Sequence, residues 1–223
     1  MTKKALLTSL ILCLVAIGIT FFPNRRGSLG AEPSGWVNIM PPRTFAGWTR
    51  IAIPPDHPLS TKSQWRVDTA NDTLICAGDG GHEWLRYHRK LGDFVFHVEW
   101  RLTKRAGDKN YNSGVFVRNN AHGQIWYQAQ VGSASGGFFF GDNPENGSLH
   151  SFNLESSLTG QAVKPAGEWN TYDIRCLGKR LVLRVNGVKT SEFDDCNNLK
   201  GYLGLEAEGS RIEFRHMRIK VLD

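Results

Sequence analysis

The sequence predicts an all-β sandwich. Several segments alternate apolar and polar residues with a period of two, and helical periodicity is almost missing. Seven Trp, twelve Phe and 24 Gly in 223 residues suit short aromatic strands joined by tight turns. Once an N-terminal segment is set aside, the remaining length matches one domain that buries a core without metal or disulfide staples.

In chain order, residues 31–59 are rich in Pro and Gly with isolated Trp36 and Trp48, and read as an irregular lead-in strand and loops. Gly80-Gly81 followed by His82-Glu83-Trp84 reads as a loop entering a strand. Residues 93–102 place Phe94, Phe96, Val98, Trp100 and Leu102 on one face and Val95, His97, Glu99 and Arg101 on the other. Residues 113–118 set Val115 and Val117 against Phe116 and Arg118; residues 124–131 set Tyr127, Ala129 and Val131 against Trp126, Gln128 and Gln130. The Gly-rich stretch 132–166 lacks alternation and reads as long loops crossing a sheet, a length usually tied to function. Tyr172, Ile174 and Cys176 alternate with polar residues; Leu181, Leu183 and Val185 follow, and Asn186-Gly187 supplies a type I′ hairpin signal. The last pair covers 202–208 and 211–222. No linker or repeat divides the chain, so residues 35–223 form one domain.

Residues 1–31 read as a secretory signal peptide or an N-terminal membrane anchor. Lys3 and Lys4 precede a mostly apolar run ended by Pro23, and Ser28-Leu29-Gly30-Ala31 offers small residues for cleavage. Either reading exports the domain to the periplasm, the cell surface or the medium, and any membrane attachment runs through this segment. The net charge is +6, but Lys and Arg are scattered singly along the predicted strands without a nucleic-acid motif, which speaks against nucleic acid as a partner. Beyond the leader, Cys76, Cys176 and Cys196 allow at most one internal bridge and otherwise act as small buried hydrophobes.

No Ser-His-Asp order, phosphate loop or zinc spacing is present. The informative residues lie opposite the core: His97, Glu99 and Arg101, then Phe116 and Arg118, then Trp126, Gln128 and Gln130. If these three strands share one surface, its amides, Arg and aromatic rings suit a sugar. Amides and Arg satisfy hydroxyls, and rings stack on the C–H face of a pyranose. The competing reading is an ordinary exposed sheet with cross-strand pairs such as Glu99 with Arg118. His82 and Trp84 fit a cleft rim or a turn with an anchoring Trp. His150 sits where it could project over the sheet. Glu206 and Glu208 could serve proton transfer or hold Ca²⁺, or face solvent.

At these positions the sequence resembles a known group. Asp93-Phe94 through Glu99-Trp100-Arg101, followed by Asn112-Ser113-Gly114-Val115-Phe116-Val117-Arg118, is similar to the GDF…EFR…NSGIFLR signature of the 3-keto-disaccharide hydrolase domain family. The segment from Lys164 to Tyr172 resembles its PAGEWN.Y motif. Asn186-Gly187, Gly201 to Leu205 and Ile212 to Arg215 resemble its hairpin and its closing strands.

The resemblance implies a concanavalin A/lectin-like jelly-roll β-sandwich that acts on sugars oxidised at C3. A 3-keto group acidifies the C2 proton, so a base abstracts it, the C1 substituent leaves, and water adds back. The expected catalytic residues are Glu99, Arg118 and Glu206, with Arg118 on the enolate oxygen and Glu99 or Glu206 as base. The expected substrate-binding residues are His82, Trp84, Asn112, Trp126, Gln128, Gln130 and His150. A divalent metal ion, Ca²⁺ among the candidates, is the one cofactor the chemistry suggests. Two departures stand out: the family's YE.Q strand is here Tyr127-Gln128-Ala129-Gln130, and its LQ.HG is Leu205-Glu206-Ala207-Glu208-Gly209. The alternative function is a non-catalytic carbohydrate-binding domain at the cell surface.

Overall fold

The computed structural model describes residues 34–107 and 110–222. The segment expected to be a signal peptide or anchor lies outside the described residues. Two antiparallel sheets face each other across the core. The first runs in spatial order β13 (Val188–Phe193), β12 (Arg180–Val185), β11 (Asn170–Leu177), β6 (Phe94–Leu102), β15 (Ile212–Val221), β4 (Thr73–Cys76) and β3 (Trp65–Asp68). A short β1 (Trp36–Asn38) pairs with the C-terminal half of β15. The second sheet runs β10 (Ser148–Asn153), β9 (Gly136–Glu145), β8 (Trp126–Val131), β7 (Ser113–Asn119), β14 (Tyr202–Ala207), β5 (Glu83–Tyr87) and β2 (Trp48–Ala52). The only helical element among the described residues is a 3₁₀ turn at Glu155–Ser157. This is the expected jelly-roll sandwich.

The alternation read from the sequence predicts the core. Phe94, Phe96, Val98, Trp100 and Leu102 of β6 are fully enclosed. They meet Val115 and Val117 of β7 and Tyr127, Ala129 and Val131 of β8 from the facing sheet. Each such side chain contributes about 1.5–3 kcal/mol on burial. At the β12–β13 hairpin, Asn186 and Gly187 both take positive φ, as a type I′ turn needs. Cys76, Cys176 and Cys196 are buried free thiols, and burial pushes the Cys76 thiol up to about 12.

Two expectations are corrected. Residues 132–166 are not mainly loops, because β9 and β10 form a hairpin there. The alternation is missing because β9 carries apolar side chains on both faces, with Phe139 in the core and Phe138 packed against Phe140 on the outside. Nor do the strands at 94–102, 113–119 and 126–131 share a surface. β6 belongs to the first sheet, whereas β7 and β8 belong to the second. The outward residues of β6 therefore lie on the opposite side of the molecule from Trp126, Gln128 and Gln130.

Candidate active site

The outward face of the second sheet is enclosed where it would ordinarily be wet. Trp84, Phe116, Gln128 and Glu206 are each under 5% exposed. A cleft of about 180 Å³ opens over them, walled by Ile53 and Pro55 on one side and His122 and Gly123 on the other. That volume is below the roughly 300–1,000 Å³ of sites for larger ligands, and it suits a single sugar ring.

Glycines let the floor lie flat. A Cβ on Gly204 of β14 would sit 2.4 Å from the Trp84 ring, and one on Gly114 of β7 would sit 2.3 Å from Gln128 Nε2. The missing side chains are the space that Trp84 and Gln128 occupy. Gly114→Ala and Gly204→Ala are each expected to cost about 1–3 kcal/mol by overpacking, a loss that urea unfolding would read directly.

On this floor the polar side chains form one continuous network. Glu206 Oε1 pairs with His82 Nε2 at 2.9 Å, and Gln128 Nε2 donates to Glu206 Oε2 at 2.8 Å. The same Gln128 nitrogen donates to Gln130 Oε1, and Gln130 Nε2 donates to Asn112 Oδ1. Asn112 Nδ2 in turn donates to Glu208 Oε2 at 2.6 Å. Burial pushes the Glu206 carboxyl above the usual carboxylate range, against the hydrogen bonds from His82 and Gln128. The hydrogen bond to Glu206 raises the His82 imidazole in turn.

The loop that delivers His82 is held from beneath. Gln64 accepts from the Gly80 amide and donates to the Gly81 carbonyl. The next side chain along, Glu83, is buried and takes the Arg50 guanidinium and the Trp65 indole N–H at 2.8 Å. A satisfied buried ion pair at the root of the loop limits where His82 can move. Above the floor, Trp126 donates its indole N–H to Asp142 and packs edge-on to Phe116 and Phe140. The buried Trp84 Nε1 has no hydrogen-bond partner among the described residues, and it lies beside the Gly123 wall of the cleft.

Of the residues expected from the sequence, His82, Trp84, Asn112, Trp126, Gln128, Gln130 and Glu206 converge here. Three do not. Glu99 is on the outer face of the first sheet, ion-paired with Arg215 and His216. Although burial acts to raise it, those two partners hold its carboxyl below the usual range. Arg118 is the extra residue of a β-bulge: two steps of β14, from Tyr202 to Gly204, span three of β7, from Asn119 to Phe116. With φ of 53° its side chain turns away from the cleft and is fully buried against Asp93, Gly92 and Gly178. His150 is exposed on the edge strand β10. Ile53, Pro55, His122 and Gly123 line the cleft without being among the residues expected from the sequence. Their one local signal is a turn-forming pair, Pro-Pro or His-Gly, beside a strand.

His82, Glu206 and Glu208 present donor atoms within 4.8 Å of one another. One imidazole nitrogen with two carboxylates is a poor match for Ca²⁺, which takes six to eight oxygens, and a better one for a Zn²⁺-like ion.

Residues 35–220 match the model of the 3-keto-alpha-glucoside-1,2-lyase-like domain. A Bacteroides thetaiotaomicron protein named 3-keto-disaccharide hydrolase is 21% identical over 250 residues, covering 87% of this chain and 81% of the relative. Among solved structures, a Parabacteroides distasonis protein named as a glycosyl hydrolase superposes with a TM-score of 0.59 at 16% identity, over 85% of this chain and 94% of that one. A carbohydrate-binding module of Bacillus subtilis gives 0.56 at 15% identity, over 77% and 94%. At those identities the two structures share the fold. The domain match spans both sheets and every residue of the cleft, and by it the chain belongs to the 3-keto-alpha-glucoside-1,2-lyase-like domain family.

Proposed function

We propose that the protein is an exported carbohydrate-active enzyme that cleaves 3-keto-glycosides, 3-keto-disaccharides among them. The observation that carries this reading is the His82–Glu206 pair, seated in a cleft sized for one ring and floored by Trp84 and Phe116. Glu206 accepts from Nε2–H, which fixes the neutral tautomer and leaves Nδ1 to take a proton. His82 removes the C2 proton of the keto-sugar, and the C2–H electron pair moves into an enolate on the C3 oxygen. The unpaired Trp84 N–H supplies a hydrogen bond to that oxygen. As the enolate collapses, the C1–O bond breaks and the leaving oxygen takes the proton that His82 removed from C2, which regenerates the neutral imidazole. Water adding across the resulting C1–C2 double bond restores the 3-keto-sugar. Gln128, Gln130 and Asn112 thus act chiefly through Glu206 and Glu208, holding the carboxylates in place, rather than as primary hydroxyl ligands. The family's name and the name of the Bacteroides relative support the same substrate class.

A divalent ion is the second use the donors could have. His82, Glu206 and Glu208 would hold it, and it would supply charge stabilisation to the enolate. Both Glu206 oxygens are already engaged by His82 and Gln128, which favours the proton-transfer reading. The purified protein with a chemically oxidised 3-keto-disaccharide is expected to release free monosaccharide, at a rate unchanged by EDTA. Loss with EDTA and recovery with Zn²⁺ or Mn²⁺ would replace the proton dyad by a metal centre. Saturable binding with no turnover under either condition would leave a carbohydrate-binding domain instead.

A further inference from the structure

A second cavity is larger than the cleft. It is an open groove of about 560 Å³ on the outer face of the first sheet, across β6, β11, β12 and β13. Its position follows from strand register. Asp173 of β11 lies opposite Arg184 of β12, Arg175 lies opposite Val182, and Lys189 of β13 lies opposite Arg184. Cations scattered singly along the sequence thus gather on one surface, because every second residue of each strand points the same way. Arg175, Arg180, Arg184 and Lys189 line the groove, against the carboxylates of Asp173 and Glu192.

The carboxylates already have partners, Glu192 within the groove itself. Asp173 binds His97 at 2.7 Å, and Glu192 binds both Lys189 and Arg180. Arg184 donates only to the Gly187 carbonyl, and Arg175 has no hydrogen-bonding or ionic partner among the described residues. Two guanidinium groups are therefore presented on neighbouring strands, over a floor that includes Val95, Val182 and Leu177. A guanidinium is planar and matches a carboxylate with two parallel N–H bonds.

We infer that this groove is a second carbohydrate site, which docks an acidic glycan of the uronic-acid class through Arg175 and Arg184. Three features select that occupant. Arg175 and Arg184, which have no carboxylate partner among the described residues, pair with sugar carboxylates, the engaged Asp173 and Glu192 retain oxygens that accept from sugar hydroxyls, and the aliphatic floor meets ring C–H groups. A single-stranded nucleic acid would need aromatic platforms for its bases, and among the described residues none lines the groove. Interleaved carboxylates also disfavour a phosphate-dense polymer or an anionic membrane. The groove and the cleft lie on opposite faces of the sandwich, so a docked polymer leaves the cleft open.

Binding of the purified full-length protein to polygalacturonate tests this. Fully methyl-esterified polygalacturonate, single-stranded DNA and phosphatidylglycerol vesicles serve as the comparison ligands. The expected result is saturable binding to polygalacturonate that weakens with added salt and is absent with the methyl ester. Arg175→Gln and Arg184→Gln should each weaken it about tenfold. Both side chains are exposed, so the unfolding midpoint should stay put, and turnover at the cleft should be unchanged. Absence of polygalacturonate binding, binding indifferent to both substitutions, or DNA or vesicles bound as tightly through the same arginines would overturn the inference.

Discussion

Glu206→Gln is expected to lower kcat on a 3-keto-disaccharide by about 10²–10⁴-fold, while the folded state loses no stability. The amide keeps the size of the carboxyl and can still meet Gln128, so packing over Gly114 is preserved. What it removes is the anion that accepts His82 Nε2–H. Without it the imidazole is no longer restricted to the tautomer that offers Nδ1 to the substrate, and the imidazolium formed on proton abstraction loses its counter-charge. Glu206 owes its raised pKa first to burial, so the folded state holds that proton more tightly than the unfolded chain does. Ionising it therefore costs stability as pH rises from the ordinary carboxylate range through the raised value, and the cost is present at neutral pH. Glutamine carries no such cost. Thermal unfolding at pH 7 should show an equal or higher midpoint for the variant, and steady-state kinetics the loss of turnover.

The pH profile separates this role from a merely structural one. His82 works as a base only when neutral, and its pKa is raised by Glu206. In the parent protein, kcat/KM should rise with pH through a midpoint above the ordinary 6.5 of the imidazole. In Glu206→Gln that limb should move to lower pH as its height falls, because the hydrogen bond and the charge that held the proton are both gone. A limb that keeps its position would remove His82 as the base.

How much of this was legible in the sequence depends on which contacts are local. Alternation along β6, β8, β11 and β12 identified the core, since a half-buried strand writes its orientation into every second residue. The same logic placed Trp126, Gln128 and Gln130 together correctly, and paired Glu206 with Glu208. It failed where orientation is set by another strand. No sequence signal between β6 and β7 marks that they belong to different sheets, so alternation alone groups Glu99 with residues across the core from it. A single inserted residue turns Arg118 away from the face that alternation predicts, for a bulge reverses a side chain without altering the sequence pattern around it. β9 was missed because a strand apolar on both faces has no period to detect. The basic groove leaves no trace in the sequence because its charges are neighbours only across the hydrogen-bonded ladder.

Arg118 supplies the second large effect, on stability rather than on turnover. Arg118→Ala is expected to lower the unfolding free energy by about 3–5 kcal/mol, with a fall in midpoint of roughly 6–20 °C for a domain of this size. The guanidinium begins on the second sheet and reaches the first, where it binds the carbonyls of Gly92 and Gly178 and the Asp93 carboxylate at 2.8 Å. It thereby ties the entry to β6 and the β11–β12 turn to the bulge in β7. Truncation leaves two carbonyls without their donor and a void where a full-length side chain was enclosed. Asp93 is more than a third exposed and keeps the Gly178 amide as a partner, so water takes over much of its share. Asp93→Asn should accordingly cost about 1 kcal/mol or less. A methionine at position 118 would refill the volume but satisfy neither carbonyl, and should recover only part of the loss. Urea unfolding of the four proteins orders them, and kcat per folded molecule should be the same in all. If Arg118→Ala stayed stable and lost turnover, the guanidinium would belong to the chemistry after all.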